Sequence, residues 1–374
     1  MGALGLSLSH WDLDALAAEE LEQEEPLSPR ASRKGVLYGA ASLAEHLRRD
    51  PAHALAFARE CGMLVVQNEL KWGPLRPTPD LFHFEPADWL QSFAHEHKLA
   101  FRGHCLVWHI HNPDWLPEAL RSGNAGKLLD EHIGTVAGRY RGLMHSWDVV
   151  NEAISIKDGR DDGLRETIWL KALGPSYIER AFRMAAEADP FAFLVYNDFG
   201  LEYADQPSSR KRTAVLRLLE RLKKNNVPVH ALGIQAHLDS AQPFDPSVLT
   251  RLLDEASGLG LHVFITELDV GDHRLPHSIR RRDEGVARIY RAYLDTALAH
   301  SAVALVATWG LSDKYSWLNE PYYKHFAWTG RPLPLDRSMK RKPAWAAMAH
   351  AFDRAPTRPT LERPNLKNVL EKNR

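Results

Sequence analysis

From residue 36 onward, short apolar and β-branched runs alternate with longer segments whose apolar residues recur every three or four positions. The short runs are Val36 to Gly39, Leu64 to Asn68, Leu99 to Val107, Ser146 to Val150, Ala192 to Tyr196, Ala231 to Gln235, His262 to Thr266 and Val303 to Thr308. Each has the length and composition of a strand buried on both faces. The intervening segments, among them Glu166 to Ala188, Ser208 to Lys224 and Ile279 to His300, carry charges between the apolar positions and read as amphipathic helices. Eight strand-helix units predict an α/β fold, a (β/α)8 TIM barrel built as a single domain over residues 35–354. An open doubly wound sheet is the alternative, but no Gly-x-Gly-x-x-Gly follows any strand, so a dinucleotide site has no support.

Polar residues then take on meaning from where they fall. Asn68-Glu69, Lys71-Trp72, His104, Trp108, Asn151-Glu152, Asn197-Asp198, Gln235, His237, Glu267, Asp269 and Trp309 all lie at or just past the C-terminal end of a predicted strand. In a barrel those ends share one face, and that face carries the active site. Two of these residues, Glu152 and Glu267, place carboxylates at the ends of the fourth and seventh strands. Acid/base cleavage of a glycosidic bond needs such a pair. After the eighth strand, Asp313 to Asp336 reads as a long loop whose Trp317, Tyr322, Tyr323 and Trp328 suit a cleft wall or lid.

Composition narrows the classes further. Net charge is -1, which argues against a nucleic-acid partner, because phosphate binding calls for a basic surface. No apolar run reaches the length of a membrane span. The 11 tryptophans exceed what an ordinary core needs and cluster near the polar motifs, although Trp89, Trp169 and Trp345 fit helix-core positions. Cys61 and Cys105 sit in apolar stretches and read as buried free thiols. The 19 histidines show neither a His-Glu-x-x-His nor a Cys/His spacing, so no metal and no cofactor is expected. Residues 1–34 read as a leader and linker, with an apolar start resembling the end of a signal segment and an acidic, proline-containing stretch from Glu19 to Pro29. Secretion or a periplasmic location is the expectation, with the cytoplasm as alternative. Residues 355–374 read as a tail without chemistry.

The ordered set Asn68-Glu69-Leu70-Lys71-Trp72, Gly103 to His109, Trp147 to Ala153, Gly233 to Leu238, Ile265 to Val270 and Trp309 to Trp317 resembles glycoside hydrolase family 10, the retaining endo-β-1,4-xylanases, over residues 36–353. The resemblance implies xylan or xylo-oligosaccharides as substrate, and a monomer is the expectation. Glu267 matches the nucleophile and Glu152 the acid/base, with carboxyl groups about 5 to 5.5 Å apart in a retaining pair. The charge of Glu267 is expected to raise the proton affinity of Glu152. By the same match, Asn151 hydrogen-bonds the sugar 2-hydroxyl, His237 orients Glu267 with Asp269 behind it, and Gln235 fixes the local hydrogen bonds. Asn68, Lys71, His104 and Trp108 hold the glycone side, and Trp309 and Trp317 wall the cleavage point. Lys71 also has a blander reading, as an ion-pair partner of Glu69 at the barrel rim.

Two positions depart from the family pattern. Gln67 stands where a glutamate is common, removing a charged acceptor for the second glycone sugar, and Phe199 stands where many members carry tyrosine. Neither touches the catalytic pair. Two competing functions remain open at this level: hydrolysis of other β-1,4 glycans or short oligosaccharides, and xylan binding with little turnover.

Overall fold

A computed structural model describes residues 21–321 and 329–365. Nine strands build the sheet: β1 Leu37–Ser42, β2 Met63–Val66, β3 Ala100–Val107, β4 Met144–Asn151, β5 Phe193–Asp198, β6 Ala231–Ile234, β7 His237–Asp239, β8 His262–Gly271 and β9 Val303–Thr308. All pair in parallel; β1 bonds to both β2 and β9, and β6 bonds to both β5 and β8, so the sheet closes. β6 and β7 are two halves of one stave, interrupted at Gln235 and Ala236, so the nine strands make the expected eight-stave (β/α)8 barrel.

Two apolar layers follow from the alternation of side chains along the strands. One lies between strands and helices and includes Leu64, Val149, Leu194, Val263 and Val306. The other fills the lower lumen with Met63, Val65, Phe193, Val195, Phe264, Leu305 and Ala307. Above it the lumen turns polar. Arg102, fully buried, donates to Ser146 Oγ at 2.6 Å and to Asp148 at 2.5 Å, forming the floor beneath the catalytic end.

Three expectations change. The segment Glu166 to Ala188 forms two helices, Ile168–Leu173 and Tyr177–Ala188, because Gly174 takes a left-handed φ of +66° and Pro175 has no N–H to continue the first helix. Part of the expected linker is instead the helix Leu27–Ser32, whose Leu27 and Ala31 are wholly buried; acidic and proline content masked this i,i+4 apolar pair. The Leu27 N–H bonds Glu60, a buried carboxylate also held by Arg341 and Trp345. Finally, residues 356–365 are anchored: Arg358 donates to the carbonyls of Leu298, His300 and Val303, and Arg363 to those of Gly142 and Met144. Cys61 and Cys105 are buried free thiols, as expected. The leader residues 1–20 and the loop aromatics Tyr322, Tyr323 and Trp328 lie outside the described residues. No helix among the described residues is long and apolar enough to cross a membrane.

Trp72, from the motif after β2, stacks on the fully buried ring of His132 with centroids 3.5 Å apart. Neither imidazole nitrogen has a hydrogen-bond partner among the described residues. Burial, reinforced by Arg76, holds the pKa of His132 well below 6.5. The folded protein therefore leaves this ring neutral while the unfolded chain protonates it, so its contribution is intact above pH 6.5 and lost as pH falls. This group alone makes unfolding free energy drop by up to about 1.4 kcal/mol per pH unit on the acid side. Urea unfolding of His132→Phe from pH 7 to about 5 will show a shallower decline than wild type if the ring acts this way; an identical slope refutes it.

Candidate active site

Strand pairing brings the polar residues together by register. His104 on β3 lies opposite Asp148 on β4, and its Nδ1 is 3.0 Å from that carboxylate. Asn151 at the end of β4 lies opposite Asn197 on β5, and the two amides bond at 3.0 Å. His237 on β7 lies opposite Asp269 on β8, with Nδ1 2.9 Å from Oδ1. These pairs meet because residues in register on neighbouring parallel strands point to the same face of the sheet.

Glu152 follows β4 directly and takes a left-handed φ of +57°, an uncommon conformation that turns its side chain over the barrel mouth. Its carboxyl accepts from Gln235 Nε2 at 3.1 Å and Asn151 Nδ2 at 3.3 Å. Glu267 lies inside β8, which continues past it to Gly271 because β7 extends the pairing outward. Glu267 Oε1 accepts from Asn197 at 2.7 Å, and Oε2 lies 3.2 Å from His237 Nε2. Asn197 is thus the link between the two halves: its amide donates to both Asn151 and Glu267, while Thr266 donates to its oxygen at 2.7 Å. Gly233 makes room for it, since a Cβ there would lie 2.3 Å from Asn197 Oδ1.

The two carboxyls have opposite electrostatic settings. Burial pushes the pKa of Glu152 above 4.5, and the charges of Asp198 and, further down, Glu267 add to this. The expected contribution of Glu267 is present but small beside desolvation, which ranks first, and Asp198, which ranks second, because Glu152 is almost wholly buried. Glu267 is buried too, but the His237 hydrogen bond, the charge of His104 and the Asn197 amide outweigh burial and hold its pKa below 4.5. Burial opposes a charge on His237, yet Asp269 and Glu267 raise its pKa well above 6.5. His104, 3.9 Å from Glu267, is likewise raised to about 10 by Cys105, Asp148 and Glu267 against the effect of burial. Glu267 therefore sits ionised between two imidazolium rings, and Glu152 keeps its proton longer. Pairs pushed apart in this way divide into base and acid.

Around them opens a cleft of about 680 Å³. Gln67, Asn68, Lys71, His104, Trp108, Asn151, Glu152, Phe199, Gln235, His237, Glu267, Trp309 and Trp317 all line it. Asp269 lies behind, holding His237 with one oxygen and Trp317 Nε1 with the other at 2.6 Å. Lys71 extends over the Trp108 ring at 4.8 Å, whereas Glu69 accepts the N–H groups of Ala44 and Asn68; the ion pair weighed for these two is not formed. Phe199 packs under Lys211, whose ammonium is 3.4 Å from the ring centroid. Asn197 was expected on this face but without its bridging contacts, and Leu43, His46, Ile110, His111, Tyr315 and Glu320, none of them expected to bind substrate, also line the cleft. Among the described residues no group of three or more His, Cys, Asp or Glu is placed to hold a metal ion.

A closed parallel barrel with two glutamates of opposite setting at its mouth defines a glycoside hydrolase. The chain belongs to glycosyl hydrolase family 10, whose family model matches residues 27–351. Among its relatives, endo-1,4-beta-xylanase B of Thermotoga neapolitana is 34% identical over 79% of this chain and 82% of that protein. A beta-1,4-xylanase of Dictyoglomus thermophilum is 33% identical over 75% and 79%. The crystal structure of native xylanase 10B from Thermotoga maritima superimposes with a TM-score of 0.78 at 32% identity, covering 88% of this chain and 98% of that one.

Proposed function

We propose that the protein is a retaining endo-β-1,4-xylanase. The observation that carries this reading is the pairing of an ionised Glu267 with a proton-retaining Glu152 across the Asn151–Asn197 amide bridge. Glu267 attacks the anomeric carbon while Glu152 gives its proton to the departing oxygen, forming a glycosyl ester. The ester is neutral, so Glu152 loses one of the charges that favoured its proton and then deprotonates the attacking water. His237 and His104 stabilise Glu267 as an anion before attack and as a leaving group afterwards. Trp108, Trp309 and Trp317 supply flat faces for sugar rings, and Asn68, Lys71 and Gln67 supply polar contacts on the glycone side. Xylan-named relatives covering most of this chain support the substrate class. Reducing-sugar release from soluble β-1,4-xylan, compared with carboxymethylcellulose, tests it; the product's anomeric configuration by proton NMR tests retention. Preference for the cellulose derivative, or an inverted first product, would sink the reading.

Action as a monomer is part of the same proposal, checked by sedimentation. A polymeric substrate favours an extracytoplasmic location over the cytoplasm as part of this proposal, checked by fractionation of the source cells.

Gln67 makes a separate prediction. A carboxylate there would accept charge-assisted bonds from sugar hydroxyls, about 1 kcal/mol better than an amide. Gln67→Glu is expected to lower KM for xylotriose roughly fivefold with kcat little changed. An unchanged KM would show that this side chain does not reach the second glycone sugar.

A further inference from the structure

Between β6 and β7 the chain reads Gln235-Ala236-His237, and the two outer residues serve different glutamates. Gln235 donates to Glu152, whereas His237 bonds Glu267. They diverge because Ala236 adopts a left-handed φ of +60°. A non-glycine residue in that region costs about 1–3 kcal/mol and persists only where its surroundings hold it.

The holding group is Glu202. Its Oε1 accepts the Ala236 N–H at 3.0 Å, and the residue is wholly buried. It lies in the loop after β5, which is fixed in turn by Arg212 donating to the carbonyls of Leu201 and Tyr203. The Tyr203 hydroxyl accepts the Asp239 N–H at 2.6 Å, so the same loop grips the stave on both sides of His237. The second Glu202 oxygen has no hydrogen-bond partner of good geometry among the described residues, and besides Ala236 the carboxyl faces the N–H groups of Leu201 and Glu202 and the charge of His237.

We infer that Glu202 is a positioning residue for both half-reactions: by clamping the Ala236 N–H it fixes the left-handed turn that aims Gln235 at the acid/base and His237 at the nucleophile. The inference rests on the roles given to Glu152 and Glu267 under the proposed function. Glu202 never touches substrate. It acts through two side chains that a single backbone torsion controls, so loss of the clamp misaligns both at once. Misplacement by about 1 Å is enough to lower a rate roughly 100-fold.

Two substitutions separate reach from charge. Glu202→Gln keeps the length and an oxygen acceptor but no charge; Glu202→Asp keeps the charge but is one methylene too short. Both are assayed on an aryl β-xylobioside for kcat, KM and the pH dependence of kcat/KM, with thermal unfolding recorded alongside. Glu202→Asp is expected to lose about 10- to 100-fold in kcat with KM little changed. Its acid limb should move to higher pH, because a displaced His237 no longer stabilises the Glu267 anion. Glu202→Gln should recover activity to within about threefold of wild type with both limbs in place. A merely structural role predicts lower melting temperatures with unmoved limbs, and that result overturns the inference. So does a Gln variant as impaired as the Asp variant. Should the Asp variant not fold, Glu202→Ala takes its place, with the same upward displacement of the acid limb expected and an unmoved limb overturning the inference. A wild type inactive on the xylobioside would instead refute the enzymatic reading, independently of the variant ratios.

Discussion

Glu267→Ala reduces xylan hydrolysis by about 10⁴-fold or more, the scale seen when a covalent nucleophile is removed from a unit of cooperating groups. The environment of Glu267 explains the size. Two raised imidazoles, His104 and His237, and the Asn197 amide converge on this carboxylate, and none of them can attack carbon in its place. Truncation leaves a small cavity facing the anomeric carbon between two cations, a setting that attracts a small anion. Added azide should therefore restore turnover of an activated aryl xylobioside and yield the α-glycosyl azide, inverted with respect to the β-linked substrate. Mass spectrometry and NMR of the product decide this. An alanine variant retaining a tenth of wild-type activity, or azide rescue giving the β-azide, would reassign the nucleophile.

Glu152→Ala gives the second large effect, and its signature depends on the leaving group. Removing a general acid costs about 10²–10⁴-fold on xylan, whose sugar alkoxide needs a proton, and far less in the first step with a nitrophenolate that leaves unaided. Deglycosylation still suffers, because the base for water is also gone, so KM for the aryl substrate falls as the glycosyl-enzyme accumulates. The pH profile sharpens the test. In wild type, kcat/KM needs Glu267 ionised and Glu152 protonated. Glu267 is lowered from 4.5, so the acid limb lies below that value; Glu152 is raised from 4.5, so the alkaline limb lies above it. Activity is thus lost below the first and above the second. In Glu152→Ala the alkaline limb should vanish while the acid limb stays, and persistence of the alkaline limb would assign it to another group.

Much of this site is legible in the chain because a barrel turns one-dimensional order into geometry. Once eight strands are recognised, a residue at a strand end has a known face, so Glu152, Glu267, Asn151, His237 and the tryptophans fall together before any coordinates. Its strand end put Asn197 on the same face, but its bridging contact stayed hidden: an asparagine at a strand end looks the same whether it faces water or joins Asn151 to Glu267. Its role depends on Gly233 of the neighbouring strand, whose missing side chain admits it. The Lys71 and Glu69 pair failed for a related reason. Two residues apart on a turn, they suit an ion pair, but the N–H groups of Ala44 and Asn68 take the carboxylate and the cleft aromatics take the ammonium.

The helix Leu27–Ser32 and the anchored segment 356–365 were hidden by composition, since proline and charge say how a chain prefers to behave alone and not what surface awaits it. Strand-helix alternation, the strand-end position of the carboxylates and the two departures at Gln67 and Phe199 were determined by the sequence itself, because periodicity and chemical identity are local properties. Tertiary structure alone decided which carboxyl keeps its proton, which cation faces Glu267, and that Glu202 holds the turn between β6 and β7. Those outcomes depend on desolvation and on distances between strands far apart in the chain, and both exist only once the barrel has closed.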